Sequence, residues 1–339
     1  MVRNVIFGCE GQTLSPEEKA FFADTDPWGF ILFRRNCETA EQTRALCTEL
    51  RSVVGRDAPI LIDHEGGRVS RLSPHIVPKR VAMGDLGELA QRDGLERAVE
   101  AARLAGEILG RDSRLVGCNV NAAPIVDVRQ PDAHDIVGDR AFAEDPDVVA
   151  RLGQALAEGL EEGGCLSILK HIPGHGRAMS DSHLELPRVD TPLDDLVSTD
   201  FAPFAALNHL PLGMTAHIVY DAVDANRPAT LSEAVIYEVI RGRIGFDGLL
   251  MTDDLSMKAL TGGFTYRAEQ SLKAGCDLVL HCNGDMAEMV AVAIGCGPLT
   301  EAAEIRSRKA LGSLVRPSET DMAELEERFA SLMNASTLS

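Results

Sequence analysis

The sequence predicts an α/β fold, a single (β/α)8 TIM-type barrel. Three observations carry that expectation. A short apolar segment ends in polar residues, a helix-like stretch follows, and this unit recurs about eight times. The apolar segments are near-continuous, as strands of a parallel sheet covered by helices are. Polar residues fall at their C-terminal ends: Asp63, Asp127, Lys170, His171, His217, Asp253 and His281. In a barrel those ends share one face, where active sites form. A doubly wound open sheet is the competing architecture. Against it, no G-x-G-x-x-G or P-loop follows the first strand.

The first apolar segment is Val5–Phe7. After it, Ser15-Pro16-Glu17-Glu18 is a helix start: a cap, proline at the first position, and an acidic residue three after the cap. Gly29–Phe33 is the second strand, and Thr39-Ala40-Glu41-Gln42 reads as another capping box, opening a helix towards Gly55. Pro59–Ile62 is the third strand, followed after an interval by a strong helix near Leu95–Leu109. Cys118–Val120 and Pro124–Val126 are broken pieces of a fourth strand region, and a helix begins around Pro146. The remaining strands are Cys165–Leu169, Leu212–Ala216, Gly248–Thr252 and Asp277–Leu280. Ser232 and Asp285 are placed to cap helices, and the tail from Leu299 reads as further helix.

The chain has 339 residues, ordinary for an α/β barrel folded as one unit, with 45% hydrophobic and 25% charged residues. A formal net charge of −19 argues against non-specific binding to nucleic acid or anionic membranes. The 8 cysteines are scattered, none in C-x-x-C spacing, and read as reduced, buried small hydrophobes. The apolar start of the chain is interrupted by Glu10, too early for a signal peptide, and no apolar run is long enough for a bilayer. The expected compartment is the cytoplasm.

Lys170–Pro187, KHIPGHGRAMSDSHLELP, concentrates His171, His175 and His183 with Lys170, Arg177 and Asp181. Pro173 and the flanking glycines block regular structure, so a buried strand is expected to end near Leu169 and a long polar loop to follow. A loop carrying this many titratable groups is a candidate site.

KHIPGHG followed by DSH, IDHEGGRVSRL at Ile62–Leu72, VGDRAF at Val137–Phe142 and MTDDLSM at Met251–Met257 together resemble glycoside hydrolase family 3. They are closest to its single-domain bacterial β-N-acetylhexosaminidase branch. AHIVYDAVDANRPATLS and AGCDLVLHCN fit the same pattern, so the resemblance spans roughly Val5 to Ala293, with the motifs in the family's order. It implies one N-terminal-type catalytic barrel over residues 1–339, with a helical tail from about 299. It also implies a retaining, two-step mechanism. By the same resemblance the nucleophile maps to Asp253, the acid/base to His183, and the partner carboxylate of that histidine to Asp181. Sugar-binding roles carry over to Asp63, Arg71, Arg140, Lys170 and His171. His64, Ile172 and Arg177 depart from the residues common in the family, and are read as touching the loop and pocket rim.

The residues have structural readings beside these functional ones. Asp253 shares a face with Met251 by the strand period of two, which suits a nucleophile on a rigid strand; either Asp253 or Asp254 can equally cap the following turn. An imidazole such as that of His183 can serve as acid and then as base, since the side chain ordinarily titrates near neutral pH, but His183 also reads as a surface histidine. Lys170 and His171 can bind sugar hydroxyls, form an ion pair with Asp127, or both. Asp63 and Arg71 suit paired hydroxyls. Arg140 suits a hydroxyl or an anionic aglycone. His175 reads as holding the loop, Glu65-Gly66-Gly67 as a tight turn with Glu65 bonded to backbone, and His217 and Asp224 as supporting residues. Met214, Met251 and Met257 read as core fillers.

The expected activity is an exo-acting β-N-acetylglucosaminidase. Its implied substrate is a cell-wall muropeptide with terminal N-acetylglucosamine on anhydro-N-acetylmuramic acid. Phosphorolysis is a close variant, because a histidine acid/base does not repel phosphate as a carboxylate does. A metal-dependent barrel hydrolase would draw on His171, His175, His183, His217 and Asp253, but neither an H-x-H nor an H-E-x-x-H marks it. A non-catalytic sugar-binding protein is the third class, and the presence of both Asp253 and His183 argues against it. No cofactor or metal is expected. The expected partner is a small carbohydrate, with no nucleic acid or membrane, acting on a monomer or weak homodimer.

Overall fold

The computed structural model describes residues 1–130, 137–178 and 185–334. Eight parallel strands close into a barrel. They are β1 (Arg3–Gly8), β2 (Pro27–Leu32), β3 (Ile60–Ile62), β4 (Val120–Asn121), β5 (Leu166–Ile172), β6 (Leu212–Thr215), β7 (Leu249–Asp254) and β8 (Leu278–His281). Each pairs with its sequence neighbour, and β8 returns to pair with β1. The strand period of two explains the layers. Ile6, Ile31, Leu61, Val120, Ile168, Leu212, Met214, Leu249, Met251 and Leu278 fill the barrel interior. Their neighbours Phe7, Phe30, Ile60, Ile62 and Val279 pack outward against one set of helices, and Leu169 and Leu250 against another.

The helices start where capping chemistry places them. Ser15 and Glu18 form a full capping box on α1 (Pro16–Thr25). Thr39 caps α2 (Ala40–Val54), but Gln42 does not complete a box. Its carbonyl accepts from Glu38 N, and its amide donates to the carbonyls of Gln12 and Asn36. After β3, α3 (Met83–Asp93) and α4 (Leu95–Leu115) cover one side, and α5 (Pro146–Glu162) packs on α4. Glycines let that pair approach: a Cβ on Gly159 would stand 1.9 Å from Arg103 O. Ser232 caps the segment Val235–Arg243, which winds as a π-helix instead of the α-helix expected. The tail forms two helices, Glu301–Gly312 and Met322–Asn334.

Two strands run further than their apolar segments. β5 continues through Lys170 and His171 to Ile172, and β7 through Asp253 to Asp254. The sequence ended both where polarity begins, yet a polar residue at the barrel mouth keeps strand geometry when it has a partner there. The fourth strand region shortens to Val120–Asn121, followed by a single bridge from Ile125 to Lys170. All eight cysteines are free and buried. No helix among the described residues is long and apolar enough to cross a membrane.

Candidate active site

At the C-terminal mouth of the barrel lies a cavity of about 230 Å³. Asp63, Glu65, Arg71, Arg140, Lys170, His171, His175 and Asp253 line it, with Phe33, Met214 and Met257 as apolar wall. All five sequence-predicted sugar-binding residues therefore meet in one place, together with the predicted nucleophile. Asp181 and His183 lie outside the described residues.

Asp253 stands at the end of β7 on the same face as Met251, half-buried, and its Oδ1 accepts from Asp254 N at 2.8 Å. Asp254 is committed elsewhere: its Oδ1 accepts from Ser256 N at 3.0 Å and Cys282 N at 3.1 Å. Beneath them is buried His217, whose Nε2 lies 3.1 Å from Asp254 O and whose Nδ1 lies 2.7 Å from Thr230 Oγ1. Burial lowers the pKa of His217, so a neutral imidazole supports the end of the nucleophile's strand.

The opposite wall is an ion network. Lys170 Nζ lies 3.2 Å from Asp63 Oδ1 and 2.7 Å from Glu65 Oε1. Arg71 Nη2 donates to Asp63 Oδ2 at 3.0 Å, with its guanidinium over the Phe33 ring. Arg140 grips Glu65 with two parallel bonds of 2.9 Å, the fork geometry an arginine–carboxylate pair favours. Burial opposes ionisation of both carboxylates, but the surrounding cations outweigh it. Lys170 and Arg71 hold Asp63 below the usual carboxylate range, and Arg140 and Lys170 do the same for Glu65. Burial likewise opposes the charge on Lys170, while Glu65 and Asp63 raise its pKa above the ordinary lysine value.

His171 has a different anchor. Its Nδ1 lies 2.8 Å from Asp127 Oδ2, and its backbone N–H reaches Asp127 Oδ1 at 3.3 Å. The same Oδ1 accepts from His175 N at 2.6 Å, so one wholly buried carboxylate pins both the strand end and the loop. Simple alternation would turn Lys170 and His171 to opposite faces, yet both reach the cavity. The pairing register of β5 shifts between Lys170 and Ile172, the irregularity that re-aims side chains beside active sites. The Lys170–His171 and Ile172–Pro173 peptides are cis.

The structure divides the two readings of this pair. His171, not Lys170, takes Asp127; Lys170 takes Asp63 and Glu65. His175 lines the cavity as well as anchoring the loop, and burial pushes its pKa down to about 4, with His171 adding to the effect. Glu65 is corrected outright: its carboxylate binds two site cations and not backbone. The missed signal was its spacing, because Asp63 and Glu65 share a face when the chain stays extended, as it does through His64–Gly66.

Other expectations fall away from the cavity. His64 is not on the rim but fully buried, between Ser70 Oγ at 2.9 Å and Asp112 Oδ2 at 3.2 Å. Ile172 is core. Arg177 pairs with Asp200 at 2.6 Å. Asp224 accepts from Ser232 Oγ at 2.7 Å and does not line the cavity, and neither does His281, which packs on Phe264. Among the described residues, no group of three or more His, Cys, Asp or Glu side chains is placed to hold a metal ion.

Known proteins resemble this chain in sequence and in fold. Residues 9–314 match the model of the glycosyl hydrolase family 3 N-terminal domain. A β-hexosaminidase of Hydrogenovibrio crunogenus is 38% identical over 311 residues, 89% of this chain and 85% of that protein. One from Neisseria gonorrhoeae is 39% identical over 274 residues, 80% of this chain and 75% of that protein. The crystal structure of NagZ from Neisseria gonorrhoeae, in complex with N-trifluoroacetyl-D-glucosamine, superimposes with a TM-score of 0.86. That match has 32% identity and covers 97% of each chain.

Proposed function

The chain belongs to glycoside hydrolase family 3, and from that membership we propose a retaining exo-β-N-acetylglucosaminidase. One observation carries the reading. A strand-end carboxylate, Asp253, faces a pocket whose polar wall includes Asp63, Arg71, Arg140, Lys170 and His171, side chains suited to sugar hydroxyls. A cavity of about 230 Å³ is small for a ligand site and suits one terminal sugar.

In the first step Asp253 attacks the anomeric carbon as the glycosidic C–O bond breaks, and His183 gives its proton to the leaving oxygen. In the second, His183 takes a proton from water, the water oxygen attacks the same carbon, and the Asp253–sugar ester breaks. Two inversions retain the configuration. Asp181 would hold the His183 ring and offset its cationic form. The loop that carries them would move, placing His183 over the sugar only when substrate is bound. Asp63 accepts from sugar hydroxyls while Arg71, Arg140 and Lys170 donate to them. The relatives' names support a β-hexosaminide as substrate. The finer reading is terminal N-acetylglucosamine on cell-wall muropeptides, recycled in the cytoplasm.

The test is turnover of an aryl β-N-acetylglucosaminide by wild type and Asp253→Ala, with anomeric configuration followed by NMR. Retention, with activity lost in the variant, is expected. Inversion or an active Asp253→Ala would break the mechanism. In phosphate buffer the expected product is the free sugar; N-acetylglucosamine 1-phosphate would turn the reading to phosphorolysis.

A further inference from the structure

Glu65 has only 2% of its surface exposed. Both its oxygens bind Arg140 at 2.9 Å, and one of them also holds Lys170 Nζ at 2.7 Å. These three residues come from three separate elements. Glu65 sits in the short extended segment His64–Gly66 after β3, Arg140 in the 3-10 turn Gly138–Arg140 after β4, and Lys170 in β5. Gly66 and Gly67, both at positive φ, reverse the chain behind the carboxylate; a Cβ on Gly66 would stand 2.0 Å from Val81 O. The chain from Arg80 to Val81 thus packs directly on the turn that follows the carboxylate.

We propose that Glu65 is a positioning residue for the glycosidase reaction, acting through Arg140 and Lys170 rather than through its own contact with the sugar. A carboxylate has about four acceptor directions, and Glu65 commits three of them to these cations. Among the described residues Lys170 in turn commits one donor to Glu65 and one to Asp63, out of three. Three charged groups face the ammonium: Glu65, Asp63 and Arg140. Without Glu65, the Arg140 charge would oppose Lys170 with Asp63 alone to balance it. Lys170 would lose its proton more easily, and Arg140 would lose the fork that fixes its plane.

The inference rests on the glycosidase reading only for the ligand those cations meet, so one of its two tests needs no substrate. In protein labelled at lysine, the Lys170 side chain is titrated by NMR in wild type, Glu65→Gln and Glu65→Asp. Wild-type Lys170 should stay protonated across the accessible range, and Glu65→Gln should lower its titration by about one pH unit or more. Glu65→Asp keeps the charge and should restore it. In the second test, kcat and KM for an aryl β-N-acetylglucosaminide are followed from neutral to alkaline pH. Glu65→Gln should lower kcat/KM by about 100-fold and move its alkaline limb to lower pH. Glu65→Asp should keep the limb but raise KM, because the shorter chain loses the two-bond grip on Arg140.

An unmoved Lys170 titration and unmoved alkaline limb in Glu65→Gln would overturn the inference. If Glu65→Gln does not fold, Glu65→Asp decides: a raised KM with an unmoved limb supports it, and wild-type KM overturns it. A Lys170 that moves in a protein with no glucosaminidase activity would sink the proposed function and leave the role of Glu65 standing.

Discussion

Asp127→Asn probes the anchor beneath the site. The wild-type carboxylate is wholly buried and accepts from His171 Nδ1 at 2.8 Å, His171 N at 3.3 Å and His175 N at 2.6 Å. Asparagine keeps one acceptor oxygen, removes the charge, and turns an NH2 group towards donors. A hydrogen bond to a charged group contributes about 1.5–3 kcal/mol, and an orphaned buried donor costs a similar amount, so a loss of about 3 kcal/mol is expected. Unfolding entropy of about 2.1 cal/mol/K per residue over 339 residues is roughly 0.7 kcal/mol/K. The expected fall in Tm is therefore about 4 °C. Activity should fall about 100-fold, because His171 loses its orientation. The pH dependence has a defined sign. Burial opposes ionisation of Asp127, but its electrostatic and hydrogen-bond interactions with His171 and His175 together outweigh it and lower the pKa. Its stabilisation is present above the unfolded value, about 3.9, and is lost as pH falls through the folded one. The gap in Tm between wild type and variant should narrow as pH falls through the folded Asp127 value. Thermal melts monitored by circular dichroism check this. A variant melting within about 1 °C of wild type at pH 7, where a loss of several degrees is expected, would refute the reasoning.

His175 carries a folded pKa of about 4, below its unfolded value, because burial disfavours the cation. Wild-type stability should therefore fall as pH drops from about 6.5 towards 4, by about 3 kcal/mol from this group; His175→Gln should remove that part of the slope, and an identical slope would count against it. Gly176→Ala would put a Cβ 1.8 Å from Val128 O, so it should cost about 1–3 kcal/mol and disturb the loop; wild-type melting and turnover would refute the close approach. Arg71→Lys should raise KM about 10-fold with kcat less affected, because an ammonium keeps the charge but not the planar donor set beside Asp63 or the contact over Phe33; unchanged KM would remove Arg71 from the binding wall.

The barrel was legible because burial on both faces writes each strand as a continuous apolar run, and because eight such runs end in polarity. What the sequence misplaced were the last residues of β5 and β7. Local polarity ended the apolar segments before Lys170 and Asp253, but a partner in the segment His64–Gly66 and the pairing of β7 with β8, both distant in sequence, keep the strands going. The cavity's members were legible through their motifs. Their pairing was not. Lys170 and His171 are adjacent, and nothing local says that one answers to Glu65 and the other to Asp127. Glu65 was misread for the same reason: two following glycines announce a turn, while the partners that give its carboxylate a purpose lie 75 and 105 positions away. The Thr39 box failed more simply. Its glutamine found a carbonyl across the loop, at Gln12, that a one-dimensional reading cannot see.

The seam where β8 meets β1 also has a consequence in time. Val5, Ile6 and Phe7 wait for Val279, Leu280 and His281 to complete their ladder. The ribosome makes those partners about 270 residues later, roughly 14–54 s at typical elongation rates. Throughout that interval β1 has β2 on one side and an open edge on the other, at a stage when every residue of the cavity wall up to Asp253 can already be in place. Closure of the barrel is thus among the last events of synthesis, and the nascent chain must be kept from pairing that edge with a neighbour on the same message.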